Sequence, residues 1–348
     1  MDQSMVDYAI IAIGLVVMLL PLFVRKVGDQ LEIFLFIIGA LTVTITSQWS
    51  LHLVLGALVD PLKITAAVFI AGLLFHYLRA PLHKGIGRLR IFIGLRTMAV
   101  GLVILVGLAS SFITAIIASL VLVEIVRSMH LPRKMEIRLV VLACFSIGLG
   151  AALTPFGEPL ATIAISKLSG APYHADFWFL LKKLWMYVVP GIGLCGMAAI
   201  FIIRLGHDEV EEEPDEGAEK LREVFIRTGK VYIFVFGLVL LGTGFTPIID
   251  RYAGSVSHLA LFWVNIVSAI LDNATLTAAE IVPAMDIHQI VAALLGLLIA
   301  GGMLVPGNIP NIIAAGRLKI DARAWAMIGL PIGMVLMTAC FAVLLLAK

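Results

Sequence analysis

Long apolar runs divided by short polar clusters dominate the chain, and their lengths match a bilayer. A helix needs about 20 mainly apolar residues to cross the hydrocarbon. Runs at 8–24, 31–48, 61–79, 184–203, 230–247 and 325–346 predict spans on that criterion. Two further stretches, 138–168 and 288–318, are long enough but interrupted, by "TPFGEP" (154–159) and "VPGNIPN" (305–311). Two more, 95–127 and 257–286, are apolar but broken by "ASSFITA" (109–115) and "LDNATLTA" (271–278).

Basic residues set the orientation, because they accumulate on the cytoplasmic side. Arg25 and Lys26 follow the first span, and Arg79, Lys84, Arg88, Arg90 and Arg96 follow the third. The segment 97–126 then meets a second basic cluster, Arg127, Arg133, Lys134 and Arg138. Basic feet at both ends predict a re-entrant hairpin that enters from the cytoplasm and returns, with "SSFIT" at its tip. Arg204, the segment 217–230, Arg317, Lys319 and Arg323 are cytoplasmic by the same count. The broken segment 257–286 has only Asp250, Arg251 and Asp286 near its feet and is expected to open outwards.

The order span, hairpin, broken helix, span therefore occurs twice, in opposite directions, as in secondary transporters with inverted repeats. The expected fold is an all-α polytopic membrane protein with about eight full spans, two re-entrant hairpins and two broken transmembrane helices. Residues 1–60 form N-terminal scaffold spans, 61–206 the first repeat, 207–228 an acidic cytoplasmic linker and 229–348 the second repeat. "GLGAALTPFGEPLATIAISKL" (148–168) resembles "AGGMLVPGNIPNIIAAGRL" (300–318), with Pro155 and Pro306 at matching places. The linker, "HDEVEEEPDEGAEK", reads as a solvated connector.

Composition narrows the class. Hydrophobic residues are 61% and charged residues 14% of the chain, and the mean hydropathy is +1.07. Soluble proteins have about 45–50% apolar and 25% charged residues, so a multi-pass protein of the cell (inner) membrane is expected, with lipid as its surroundings. A net charge of +2 without a basic run gives no footprint for nucleic acid. Cys144, Cys195 and Cys340 stand singly in apolar stretches and read as packing residues. "MDQSMVDYAI" lacks the basic region and cleavage site of a signal peptide, so the first run is expected to be retained. No Gly-x-Ser-x-Gly, His-Glu-x-x-His or paired catalytic Asp signature lies on a span, so enzyme chemistry is not expected and no cofactor is called for.

The breaks carry the candidate chemistry. Proline inside a helix costs about 3 kcal/mol, and a carboxylate at bilayer depth at least about 2.5 kcal/mol. Non-helical backbone at depth is tolerated only inside protein or along a wet cavity. Four breaks at corresponding places thus predict one shared cavity near the midplane. Its acids are Glu158 and Asp272, and its neutral donors and acceptors are Ser110, Ser111 and Thr114 at the first tip, with Thr154, Asn273, Thr275, Thr277, Asn308 and Asn311 elsewhere. No Arg or Lys falls within a tip or a break. Fixed negative charge among hydroxyl, amide and carbonyl oxygens suits a small hard cation such as Na⁺, held at Asp272 and Glu158. A carboxylate that binds Na⁺ when ionised and takes a proton when Na⁺ leaves exchanges the two. The alternatives are that Asp272 and Asn273 only cap a helix, and that Glu158 is a protonated structural group bonded to nearby backbone.

Other ionisable residues read differently. Glu280, two turns beyond Asp272, is expected to be a wet residue near the outer surface rather than a secondary proton site. Glu124 is expected to form a surface ion pair near the cytoplasmic foot, beside Arg127. His52 and His76 lie towards span ends and read as interfacial.

At these residues the chain resembles the ion transporter superfamily, and particularly its NhaD-type sodium/proton antiporters. "ILDNATLTAAEIVP" (270–283) is similar to that group's hairpin tip, and "ALTPFGEPLATIA" (152–164) to its break, with Glu158 where Asp is usual. "VPGNIPNIIAAG" (305–316) is similar to its Gly-Asn-rich segment through Gly307 and Asn308. The resemblance covers residues 90–330 and implies cation handling by Asp272 and Glu158, with Asn273, Thr275, Ser111 and Thr114 as polar tip residues. It also implies a homodimer. The first tip departs from the group by reading "SSFIT" in place of an Asp-Asn pair, and the chain is short, similar to a compact cation-transporter branch. Relatives in the superfamily carry dicarboxylates, citrate or arsenite, so a Na⁺-coupled importer of a small anion is the alternative function.

Overall fold

The computed structural model describes residues 3–24, 26–27, 30–62, 64–66, 69–70, 73, 94–205, 221–252 and 257–346. Their regular elements are all helices: α1 (Gln3–Phe23), α2 (Leu31–Ile45), α3 (Leu95–Ile113), α4 (Ala115–Ser128), α5 (Arg133–Ala151), α6 (Pro159–Lys167) and α7 (Phe179–Leu205). The second half continues with α8 (Leu221–Tyr252), α9 (His258–Val264), α10 (Asn273–Glu280), α11 (Ile287–Gly301), α12 (Ile309–Leu318) and α13 (Ala322–Leu346). A helical stretch at 51–62 follows α2, and 3₁₀ turns occupy Asn265–Ala269 and Val305–Gly307.

Five helices among the described residues are long and apolar enough to cross a membrane: Ser4–Pro21, Leu95–Ile113, Phe179–Phe201, Thr228–Ile248 and Ala322–Leu346. Their outward faces carry large exposed apolar side chains such as Leu105, Phe201 and Val335, as a multi-pass integral membrane protein requires. Two details differ from the sequence reading. Helix α3, expected to be one arm of a re-entrant hairpin, is 19 residues long and meets the crossing criterion by itself. Helix α2 is only 15 residues, about 22 Å at 1.5 Å per residue. Most of the predicted span 61–79, His76, and the basic cluster 79–90 lie outside the described residues, as does 207–220 of the predicted linker. Helix α8 starts at Leu221, inside the stretch read as that linker.

Small residues let the helices approach closely. Helices α2 and α8 cross where Gly39 faces Gly237, and a Cβ on Gly39 would come within 2.6 Å of the Gly237 carbonyl. Helices α3 and α5 meet at Gly107 and Gly150, where a Cβ on Gly150 would lie 1.8 Å from the Gly107 oxygen. Such contacts replace the hydrophobic driving force that is absent between helices in lipid. Serines fasten the same seam: Ser146 donates to Val103 O (2.8 Å), Ser110 to Ile147 O (3.0 Å) and Ser111 to Gly150 O (2.7 Å).

Beyond this seam the packing is reciprocal between the halves of the chain. Helix α4 lies on α12, and α10 lies on α6, while α5 and α11 touch at the centre. The α4–α12 contact is tied by charge. Arg317 on α12 donates to Glu124 on α4 at 2.8 Å, with both side chains buried. Arg127 donates to the Arg317 carbonyl, and Arg133 to the carbonyls of Leu318 (2.8 Å) and Lys319 (3.0 Å), satisfying the C-terminal carbonyls of α12. This corrects the expectation for Glu124. It is no surface residue pairing within its own helix; its partner lies 193 positions away and is buried with it.

Candidate functional site

Four short helices begin beside one another in the interior. Helix α4 starts after Thr114, α6 after Glu158, α10 after Asp272 and α12 after Asn308. The two junctions after α3 and after the 3₁₀ turn share one capping scheme. Thr114 accepts from Ile117 N at 3.3 Å, and Asp272 accepts from Thr275 N at 3.0 Å. The two interruptions share a backbone. Glu158 (φ −156°, ψ 162°) and Asn308 (φ −153°, ψ 147°) are both extended, and a proline follows in the first turn of each helix. These prolines fit because first-turn N–H groups have no intrahelical partner.

The interruptions are satisfied from within the protein. Asn311 donates from its amide to Gly301 O and Leu304 O, each at 2.8 Å, and Trp325 Nε1 donates to Gly302 O at 3.2 Å. Thr154 donates to the Ser111 carbonyl, and Ala115 N to Gly157 O at 2.8 Å, joining the first interruption to the junction at Thr114. Ser110, Ser111 and Thr154 therefore have their hydroxyl protons committed to backbone carbonyls. Their place in the fold is to hold the walls.

A cavity of about 350 Å³ opens between these helix starts. Thr114, Gly157, Glu158, Asn273 and Asn308 line it, and among the described residues its lining contains no basic side chain. Glu158, Asn273 and Asn308 are buried, yet Glu158 Oε1, Asn273 Nδ2 and Asn308 Nδ2 have no hydrogen-bond partner. The Asn273 amide lies beside the Glu158 carboxylate but outside hydrogen-bond geometry. Asp272 stands one residue behind this lining, partly exposed, near enough for its charge to act on Glu158. Thr275 bonds to it twice, through N and through Oγ1 at 3.2 Å.

Of the residues picked out in the sequence, Glu158, Asn273, Asn308 and Thr114 line the cavity together. Asp272 and Thr275 adjoin it, and Ser110, Ser111 and Thr154 support it. Asp272 does cap α10, whereas Glu158 makes no capping bond and no bond to nearby backbone. Ser268 was missed. It is fully buried with an unpartnered hydroxyl, and a Cβ on Gly301 would lie within 3.7 Å of both Ser268 Oγ and Asn273 Nδ2. The spacing held the signal, since Ser268 precedes Asp272 by four residues as Ser110 precedes Thr114.

Unsatisfied buried polar atoms are rare in folded proteins and cost about 1–3 kcal/mol each. Three of them belong to residues that line one cavity, a place where a polar guest or water would complete the bonding. The helix starts add charge. Each N-terminus acts as roughly half a positive charge, so four of them about balance two ionised carboxylates.

The molecule is thus a multi-pass helical membrane protein with a partly open cavity that is lined by a buried acid and two buried amides. The chain belongs to a family described as protein of unknown function (DUF1646), whose model matches residues 7–347. No curated protein matches the chain.

Proposed function

We propose that this chain is a secondary active transporter that exchanges a small cation, Na⁺ or Li⁺, for protons by alternating access. The observation that carries the reading is Glu158, a buried carboxylate with an unpartnered oxygen, lining a cavity that offers no basic counter-charge among the described residues. In this reading Glu158 and Asp272 bind the cation when ionised, with oxygens of Asn273, Asn308 and Thr275 around it, while Thr154 holds the wall behind them. Protons replace the cation when it leaves, because desolvation disfavours a bare carboxylate.

The architecture that goes with it is a pair of inverted repeats, each with a re-entrant hairpin (tips at Thr114 and Asp272) and a broken helix (breaks before α6 and α12). Three features support this: the matched caps, the matched backbone at Glu158 and Asn308, and the exchange of partners in which α4 packs on α12 and α10 on α6. These four helices form the moving unit in this scheme. The resemblance to NhaD-type antiporters supports the same reading.

Four converging helix N-termini favour a second reading, a Na⁺-coupled importer of a small anion, because N-termini attract anions. Proteoliposomes containing a pH-sensitive dye separate the two. Added Na⁺ or Li⁺ is expected to move protons in the wild type and not in Glu158→Gln. An unchanged response in Glu158→Gln removes the site from this reading. Proton-independent uptake of Na⁺ that requires a labelled dicarboxylate or oxyanion replaces exchange by import.

A further inference from the structure

A second carboxyl lies apart from the cavity just described. Glu280 is the last residue of α10 and is 7% exposed. Asn265, itself fully buried, donates to Glu280 Oε2 at 2.9 Å and to Ala293 O at 3.0 Å. Glu280 also lines an apolar cavity of about 380 Å³ between α1, α8 and the α9 segment. Exposed Ile11, Leu15, Val264 and Ile266 rim that cavity, so it faces the lipid side of the fold. The expectation of a wet surface residue is therefore corrected. The signal that misled was position after Asp272, which fixes helix face but not depth.

We propose that Glu280 is a proton-binding site buried against the bilayer and separate from the Glu158 cavity. Two features of its surroundings disfavour a negative charge there. The C-terminus of α10 carries the negative end of the helix dipole, and an apolar wall gives no solvation. Among the described residues, the charged groups on neighbouring elements leave it uncompensated. Asp7 of α1 and Arg251 of α8 pair with each other, Asp286 and His288 at the start of α11 are exposed, and Lys167 ends α6 half-buried. Among the described residues, only the Asn265 amide is bonded to the Glu280 carboxyl. Glu124, the acid near the end of the corresponding helix α4, differs in having Arg317 as a buried partner. Glu280 has no such ionic partner among the described residues.

The site is open to a chemical test that does not depend on what the protein transports. A protonated carboxyl adds to dicyclohexylcarbodiimide. Its proton goes to one nitrogen, its oxygen bonds the central carbon, and the acyl group then shifts to nitrogen, leaving a stable N-acylurea with nothing expelled. We expect the purified protein, in lipid vesicles, to take this adduct at Glu280, as read by peptide mass spectrometry. Labelling should fall with rising pH, by about tenfold per unit once the group ionises. The Glu280→Gln protein, eluting as a single species, should lack the adduct. A charged, water-soluble carbodiimide should leave Glu280 unmodified. No adduct on Glu280 at any pH, or equal labelling by the water-soluble reagent, overturns the proposal. Labelling of Glu280 in a protein that moves no cations leaves this site intact and defeats the transport reading alone.

Discussion

Asp272 caps α10, and the proposed exchange gives it a second purpose, cation binding, that a single substitution separates. Serine and aspartate are about equally good N-caps, whereas alanine costs about 1 kcal/mol at such a position. Asp272→Ser is therefore expected to keep the thermal stability of the wild type in detergent and to lose cation-driven proton movement. Wild-type transport by Asp272→Ser would leave the residue a cap and nothing more. Gly150 gives a prediction of stability alone. A side chain there meets the Gly107 carbonyl at 1.8 Å, and overpacking of this kind costs about 1–3 kcal/mol. Gly150→Leu should lower the unfolding temperature and part α3 from α5. Residue identity was legible at the acids and amides because they stand out against apolar surroundings. Burial was not, and Glu280 and Glu124 both proved deeper than their neighbours in sequence suggested.

The helix interruptions were legible because proline and glycine enforce them. "TPFGEP" separates α5 from α6, and "VPGNIPN" separates α11 from α12, as the local chemistry requires. What pairs with what was not legible, since the ion pair between α4 and α12 joins residues 193 positions apart. Removing one member of a buried pair leaves an uncompensated charge and costs about 3–5 kcal/mol, while replacing both by apolar residues is near neutral. Arg317→Met should accordingly unfold at markedly lower temperature than the wild type, and the double variant Glu124→Leu/Arg317→Met should recover most of the loss. If the double variant is no better than the single one, the pair is not what fastens these helices. A transport rate preserved in the recovered double variant would assign the pair to assembly of the α4–α12 unit rather than to ion binding.

At the scale of the whole molecule, two electrostatic contributions of opposite sign meet at one cavity, and in the proposed exchange their balance decides which ion binds. The helix starts supply about two positive charges in total, and Glu158 with Asp272 supplies two negative ones when ionised. A monovalent cation binds well only where the carboxylate oxygens approach it more closely than the backbone dipoles do. In the proposed exchange the unpartnered oxygen of Glu158, a residue that lines the cavity, is the atom that would have to meet that condition. A ligand that binds only the folded state stabilises it by RT ln(1 + [L]/Kd), about 2.7 kcal/mol at a hundredfold excess over Kd. Thermal unfolding of the purified protein should therefore shift upwards with Na⁺ or Li⁺ at constant ionic strength, and choline should have no such effect. The shift should vanish in Glu158→Gln. It should also shrink as the pH falls, because protons compete for the same oxygens. Should stabilisation by Na⁺ appear only after a dicarboxylate or oxyanion is added, the helix N-termini dominate the cavity, and the anion importer becomes the better account of the same residues.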